Sequence, residues 1–312
     1  MDNPKNKIRM YLYFLVIITI SFYLSLREIP TVIDDYNYLN YVSNGGLILF
    51  SNITNFSFYI VSEPLWLFIN YLLGLLFEPV LAVRVIIFVS VFITLFALGK
   101  MTQYSLISVF FFVIIDQLVK NNIVHLRQGL ALSVFLLGLS LKGKWRHILL
   151  LSPFIHVSFW FSIIFYIYEL SLKKLSINFK MLFFSLFSII VALSLPFIAD
   201  FLGDRRATSY SFSTPEDASG AAFIWWSLFL VVYLVGVGKN RISKLSIYGL
   251  IFYLITYFSL DFSARIFENF LALILVSTIN SNSLWRYILL SLLFFYALLT
   301  SFPSGPMIFN LY

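Results

Sequence analysis

An all-α, polytopic integral membrane protein is predicted by this sequence, with about eleven membrane helices or half-helices in a single domain over residues 1–312. Composition is the first reason. Of the 312 residues, 61% are hydrophobic and 11% charged, and the mean hydropathy is +0.93; such values exclude an ordinary soluble domain. Spacing is the second reason, because apolar runs of about 20 residues recur along the chain and each can cross the hydrocarbon core. Placement of charge is the third. Lys and Arg gather at the ends of these runs, so the net charge of +7 reads as anchoring at the inner face of a membrane and not as nucleic-acid binding. The absence of cysteine excludes disulfides, thiolate catalysis and cysteine-ligated metals.

The first run, Met10–Leu26, follows Lys5, Lys7 and Arg9 in the manner of a signal peptide. No small-residue cleavage site comes after it, so it reads as a retained helix with its amino terminus inside. Further runs fall near 60–77, 80–98, 104–119, 123–141, 148–168, 181–201, 222–238, 245–260, 264–280 and 286–302. Lys173, Lys174 and Lys180 mark one inner loop, and Lys239, Arg241 and Lys244 another. The longest polar interruptions, 27–59 and 202–221, then become outer loops. For Lys100 and the group Lys142, Lys144 and Arg146 to lie inside as well, segments 60–77 and 148–168 have to be broken or re-entrant elements lining a protein-enclosed cavity. Glu63-Pro64 and Pro153 supply the breaks. Simple crossings throughout would put Lys142–Arg146 outside.

Few polar residues survive within this apolar bulk. Asp34, Asp35, Tyr36, Tyr38 and Tyr41 crowd the first outer loop, and Glu63 stands at the next helix mouth. Arg84, Asp116, His125, Arg127, Gln128 and His156 lie deeper. The second outer loop holds Asp204, Arg205, Arg206, Glu216 and Asp217, and a later helix mouth holds Asp261, Arg265 and Glu268. Each has an ordinary reading. Arg127 suits an interfacial anchor, Glu63 an acid at a helix start, and Asp34 and Asp35 solvated loop acids. His156 suits a packing residue between Phe154 and Phe159, while Arg84 and Asp116 could pair with one another or with other buried groups. The functional reading is that carboxylates, arginines and a histidine facing one outer cavity suit chemistry on a lipid-linked phosphate, for which guanidinium is a two-point fork. Tyr36, Tyr38 and Tyr41 beside two acids suit a stacking platform for sugar rings.

The order of these pieces resembles the Wzy-type polysaccharide polymerases, especially their EpsG-like branch. The resemblance runs over most of the chain: Asp34-Asp35-Tyr36 with Tyr38, then Glu63-Pro64-Leu65, Arg127-Gln128 with Ala131 at a helix start, His156-Val157-Ser158, and a late Arg265. The block from Arg127-Gln128 to His156 is its most specific part. Spacing of Asp and Tyr in the first loop departs from the family pattern, as does Trp66 after Glu63.

What the resemblance implies is a GT-C-like bundle with an extracytoplasmic cavity in a bacterial inner membrane. There an oligosaccharide chain on undecaprenyl diphosphate would be transferred onto a single lipid-linked repeat unit. His156, Asp35, Asp34 and Glu63 are then the candidate bases, in the order His156, the first-loop acids, Glu63. Arg127, Gln128, Arg265, Arg205 and Arg206 are candidates for the diphosphate, and Tyr36, Tyr38 and Tyr41 for the glycan. Energy resides in the diphosphate bond, so no cofactor or metal is required, and no Gly-rich phosphate loop is present. Implied partners are the undecaprenyl-diphosphate-linked oligosaccharide, membrane lipids and a chain-length regulator protein, with no nucleic acid. Rival readings are an O-antigen ligase, a single-sugar GT-C transferase drawing on first-loop acids, and a lipid-oligosaccharide flippase.

Overall fold

The computed structural model describes residues 4–52, 62–201, 220–238, 240–260 and 262–301. Among them there are thirteen α-helices, one long 3₁₀ segment and no strand. Four helices are long and apolar enough to cross a membrane: Asn6–Ser25, Pro79–Met101, Ile177–Ser194 and Ser283–Ser301, with one bent pair that would make a fifth. Large apolar side chains stand exposed along them, among others Tyr11, Leu15, Ile18 and Phe22 on the first and Leu182, Leu186, Ile189 and Leu193 on the third. Stripes at such helical spacing are tolerable in lipid and not in water. The described residues are all-helical, with four or five spans that could cross a membrane.

The chain forms two compact units, Met1–Phe159 with Leu293–Tyr312, and Trp160–Leu292. In the first, α1 (Pro4–Ser25), α2 (Ile33–Asn52), α3 (Pro64–Leu76) and α4 (Pro79–Met101) are followed by α5 (Leu106–Ile114), α6 (Asp116–Ile123), α7 (Leu126–Ser140) and the 3₁₀ segment Gly143–Phe154. Helices α1 and α4 run antiparallel. Tyr13 donates to the Leu95 carbonyl at 2.7 Å and Arg9 to the Tyr104 carbonyl at 3.0 Å. The basic start of α1 and Lys100 at the end of α4 therefore share one face, as the charge pattern requires.

Three stretches depart from the sequence expectation. Residues 27–59, expected as an outer loop, contain the 20-residue helix α2. Its polar sequence hides the reason, which is close packing on α3: a Cβ at Gly46 would stand 2.7 Å from the Tyr71 ring, and one at Gly45 3.2 Å from the Leu67 carbonyl. The run at 104–119, expected as one crossing, is bent by 80° between α5 and α6. Ile115 is extended there (φ −87°, ψ 98°), and Asp116 in the first turn of α6 favours that helix start while accepting the Ser301 hydroxyl at 2.9 Å. Segments 60–77 and 148–168 are not uninterrupted helices either. At ~1.5 Å per residue the 13-residue α3 is far shorter than the ~30 Å hydrocarbon core. The 3₁₀ segment ends at Phe154, just after Pro153, and α8 (Phe159–Ser171) begins only after a break. Of the second expected outer loop, 202–219 lies outside the described residues.

The second unit contains most of α8, with α9 (Ile177–Phe201), α10 (Gly220–Gly236), α11 (Arg241–Thr256), α12 (Ser263–Ile279) and the first half of α13 (Ser283–Ser301). Its core is aromatic. Phe165 meets Phe184 edge-on at 4.7 Å and stacks on Phe270 at 5.3 Å, and Phe267 packs on Tyr253 and Trp226. Glu169 is buried among cations: Lys244 donates to one oxygen at 2.9 Å, and Lys180 at 3.0 Å and Tyr248 at 2.7 Å to the other. These residues tie the ends of α8, α9 and α11 together at the basic loops that the sequence assigns to the inner face.

Candidate functional site

The candidate site lies in the first unit, where three residues far apart in sequence converge. Arg127 is the second residue of α7, Glu63 precedes Pro64 at the start of α3, and His156 sits in the break between the 3₁₀ segment and α8. Both carboxylate oxygens of Glu63 are engaged. Oε2 accepts from Arg127 Nη1 at 2.6 Å, while Oε1 lies 2.5 Å from His156 Nδ1 and accepts the Val157 amide at 3.2 Å. With Nδ1–H given to the carboxylate, the lone pair of the neutral ring resides on Nε2. Glu63 is almost fully buried, whereas Arg127 and His156 keep 28% and 13% of their side chains exposed. The acid is thus interior and its two partners reach the surface of the cluster.

Glu63 occupies the N-cap position of α3 but does not cap it with its side chain. Its side chain makes no cap hydrogen bond, and its backbone is left-handed at φ 55°, ψ 56°. That conformation costs a non-glycine residue roughly 1–3 kcal/mol, and the proline that follows disfavours helical geometry further. Three hydrogen bonds to the side chain hold it there. Strain concentrated in a buried carboxylate between an arginine and a histidine points to use.

Arg127 begins a helix, and the junction before that helix packs beside the middle of α4. Asn122, at the end of α6, accepts from Ser90 at 2.7 Å and Thr94 at 3.1 Å, both near the middle of the 23-residue α4. The nine-residue α5 and the bend after it bring the start of α7 to mid-height of a membrane helix. Ionisable groups at that depth, on interrupted helices, are typical of binding sites.

The other predicted residues divide. Tyr41 belongs to the site, with the Arg127 guanidinium 5.9 Å from its ring centroid. Tyr38, proposed for sugar stacking, is 3% exposed; its ring packs edge-on against Trp66, and its hydroxyl accepts the Leu126 amide at 3.1 Å. Tyr36 points to the surface. Asp34 faces His125 at 3.4 Å. Asp35, expected in a wet loop, is fully buried: its carboxylate takes a two-point bond from Arg27 at 2.8 and 2.5 Å and the Thr31 and Val32 amides at 2.9 and 3.3 Å. Burial works to raise the pKa of Asp35, but the Arg27 and backbone hydrogen bonds outweigh it and hold the carboxyl below the usual carboxylate range. It is no base. Gln128 is packed on the buried face of α7. The Arg84 Nε is buried without an acceptor, and Asp116 accepts the Ser301 hydroxyl. Arg265 is exposed near the start of α12 in the second unit. Arg205 and Arg206, with Asp204, Glu216, Asp217 and Asp261, lie outside the described residues.

Arg27 is the residue that sequence reading missed. It directly follows an apolar run, where a basic residue reads as a topological flank. Among the described residues, no three His, Asp or Glu side chains gather as a metal site. Comparison of the chain with protein-family models, with curated proteins and with solved structures finds no match.

Proposed function

We propose that the Glu63–His156–Arg127 cluster is the active site of a membrane glycosyltransferase acting on a polyprenyl-diphosphate-linked glycan, in the manner of a repeat-unit polymerase. One observation carries the reading. A single buried carboxylate orients an imidazole with one oxygen and a guanidinium with the other. In this reading the acceptor sugar hydroxyl attacks the anomeric carbon of the donor. The new C–O bond forms as the bond from that carbon to the diphosphate oxygen breaks, and the diphosphate leaves with the electron pair. His156 Nε2 takes the hydroxyl proton, and Glu63 stabilises the imidazolium that results. Arg127 meets the charge that develops on the leaving diphosphate. Tyr41, under that guanidinium, offers a ring face to the sugar next to the diphosphate.

The wider reading includes an extracytoplasmic cavity in an inner-membrane, GT-C-like bundle of about eleven membrane elements, some of them half-helices. Undecaprenyl diphosphate would carry both substrates, and a chain-length regulator would be a partner. Deletion of the gene and inspection of surface polysaccharide tests it. Loss of a polymerase leaves lipid A-core capped with a single repeat unit, and wild-type chain restores the ladder while the His156→Ala chain does not. Loss of a ligase or of a flippase leaves no cap at all, and that result would overturn the polymerase reading.

A further inference from the structure

The start of α7 is held by side chains from the link after α1 and from the first turns of α2. Arg27 is 1% exposed and Asp35 fully buried. All three guanidinium nitrogens of Arg27 are used. Nη1 and Nη2 fork onto Asp35, Nη1 also reaches the Glu28 carbonyl at 3.0 Å and the Thr31 hydroxyl at 3.3 Å, and Nε donates to the Ile123 carbonyl at 2.9 Å. Ile123 is the last residue of α6, so its carbonyl is one of those a helix end leaves without a partner. Three residues on, the Leu126 amide at the start of α7 has the same problem and is met by Tyr38. Between them His125 faces Asp34. The link 123–126 is therefore gripped at both ends by residues 27–38, and Arg127 is the next residue.

We infer that Arg27 and Asp35 are positioning residues for Arg127: their buried pair fixes the link between α6 and α7 so that the Arg127 guanidinium is presented beside Glu63 with its outer edge open to a diphosphate. This rests on the reading of the site given above. Geometry requires all three parts. The fork on Asp35 sets the plane of the guanidinium, that plane aims Nε at the Ile123 carbonyl, and the carbonyl sets where α6 stops. Lys at position 27 has no planar fork and cannot hold Asp35 and the carbonyl in that geometry. The pair is neutral as a whole, so it fixes position without altering the charge that Arg127 offers.

A structural ion pair and a positioning one separate in a double variant. Asp35→Asn leaves a buried guanidinium unpaired and is destabilising in either case. Arg27→Met with Asp35→Leu removes both charges and refills the volume, which commonly restores stability, but nothing then holds the Ile123 carbonyl. Full-length protein in nanodiscs would be compared as wild type, Asp35→Asn, the double variant, and Glu169→Gln as a buried ion-network control in the other unit. Two readouts are hydrogen exchange of peptides covering 120–130 and affinity for farnesyl diphosphate, both taken well below the melting temperature. The expected result is exchange at least tenfold faster and affinity at least tenfold weaker in Asp35→Asn and in the double variant, with Glu169→Gln like wild type in both. Wild-type exchange and affinity in the double variant would overturn the inference and reduce the pair to buried-charge neutralisation. Should wild type itself not bind the prenyl diphosphate, the functional reading fails and the exchange arm alone decides the clamp.

Discussion

Replacing Glu63 with Gln keeps the shape of the side chain and removes the charge that joins His156 to Arg127. Its consequence follows from which contact changes during reaction. The bond between Glu63 and His156, at 2.5 Å, is stronger once the imidazole has taken a proton, so it acts on the transition state more than on the ground state. Hydrogen bonds to charged groups contribute about 1.5–3 kcal/mol, and about 1.36 kcal/mol is a factor of ten in rate. Turnover should therefore fall by about 10- to 150-fold. The contact with Arg127, at 2.6 Å, exists before substrate arrives and competes with it. Its loss releases the guanidinium, so KM for the donor lipid should stay level or decrease. The assay is the initial rate of ladder formation from undecaprenyl-diphosphate-linked repeat units by protein in nanodiscs, with melting followed in parallel. A Glu63→Gln variant with kcat within twofold of wild type, or with a raised KM at constant kcat, would refute the dyad.

Arg127→Lys keeps the charge without the two-point fork and should retain only weak polymer formation, with Arg127→Ala giving none; wild-type chain length in Arg127→Ala at matched expression would reduce the residue to an anchor. The chain lacks cysteine, so single-cysteine variants report topology directly: Ser43→Cys should label from outside and Lys144→Cys from inside, and outside labelling of Lys144→Cys would overturn the re-entrant topology. Gly129→Ala places a methyl group 2.6 Å from the Asn122 Cα, which overpacks the α6–α7 junction and should destabilise by about 1–3 kcal/mol, read as a lower melting temperature. Asp35 titrates below its ordinary range when folded, so its pair stabilises fully above an unfolded carboxylate value of about 4 and loses that stabilisation as pH falls further; wild type should lose more stability than Arg27→Met/Asp35→Leu below about pH 4, and parallel pH–stability curves for the two would contradict this.

What the sequence disclosed of the candidate site was which residues stand out more than how they meet. Glu63, Arg127 and His156 were recognisable because ionisable residues stand out in apolar surroundings, although 64 and 93 residues separate Glu63 from its two partners. Helix α2 was hidden because Ile33–Asn52 carries polar residues and two glycines where an apolar period would be sought, and the packing that makes it helical is supplied by α3, elsewhere in the chain. The bend at Ile115 was hidden in the opposite way. Leu106–Ile115 is apolar but for Ser108 and reads as part of a crossing until Asp116 is given a partner 185 residues away. Asp35 was misjudged because burial of an acid depends on its cation, and Arg27 meets it across a non-helical turn that has no periodic signature.

The first unit holds two ion clusters of similar composition that have been put to opposite ends. In the one around Arg27, each charge is saturated and shut away, with side-chain exposures of 2% and 0%. Around Glu63, only the carboxylate is enclosed, and the cation and the imidazole it orients reach outward. An arrangement chosen for rigidity alone would close both and would not carry the cost of a strained, left-handed Glu63. On the proposed reading the second cluster supplies what a ligand-directed site requires: a buried acid fixed in place, with a donor fork and a proton acceptor left in reach of what would bind there.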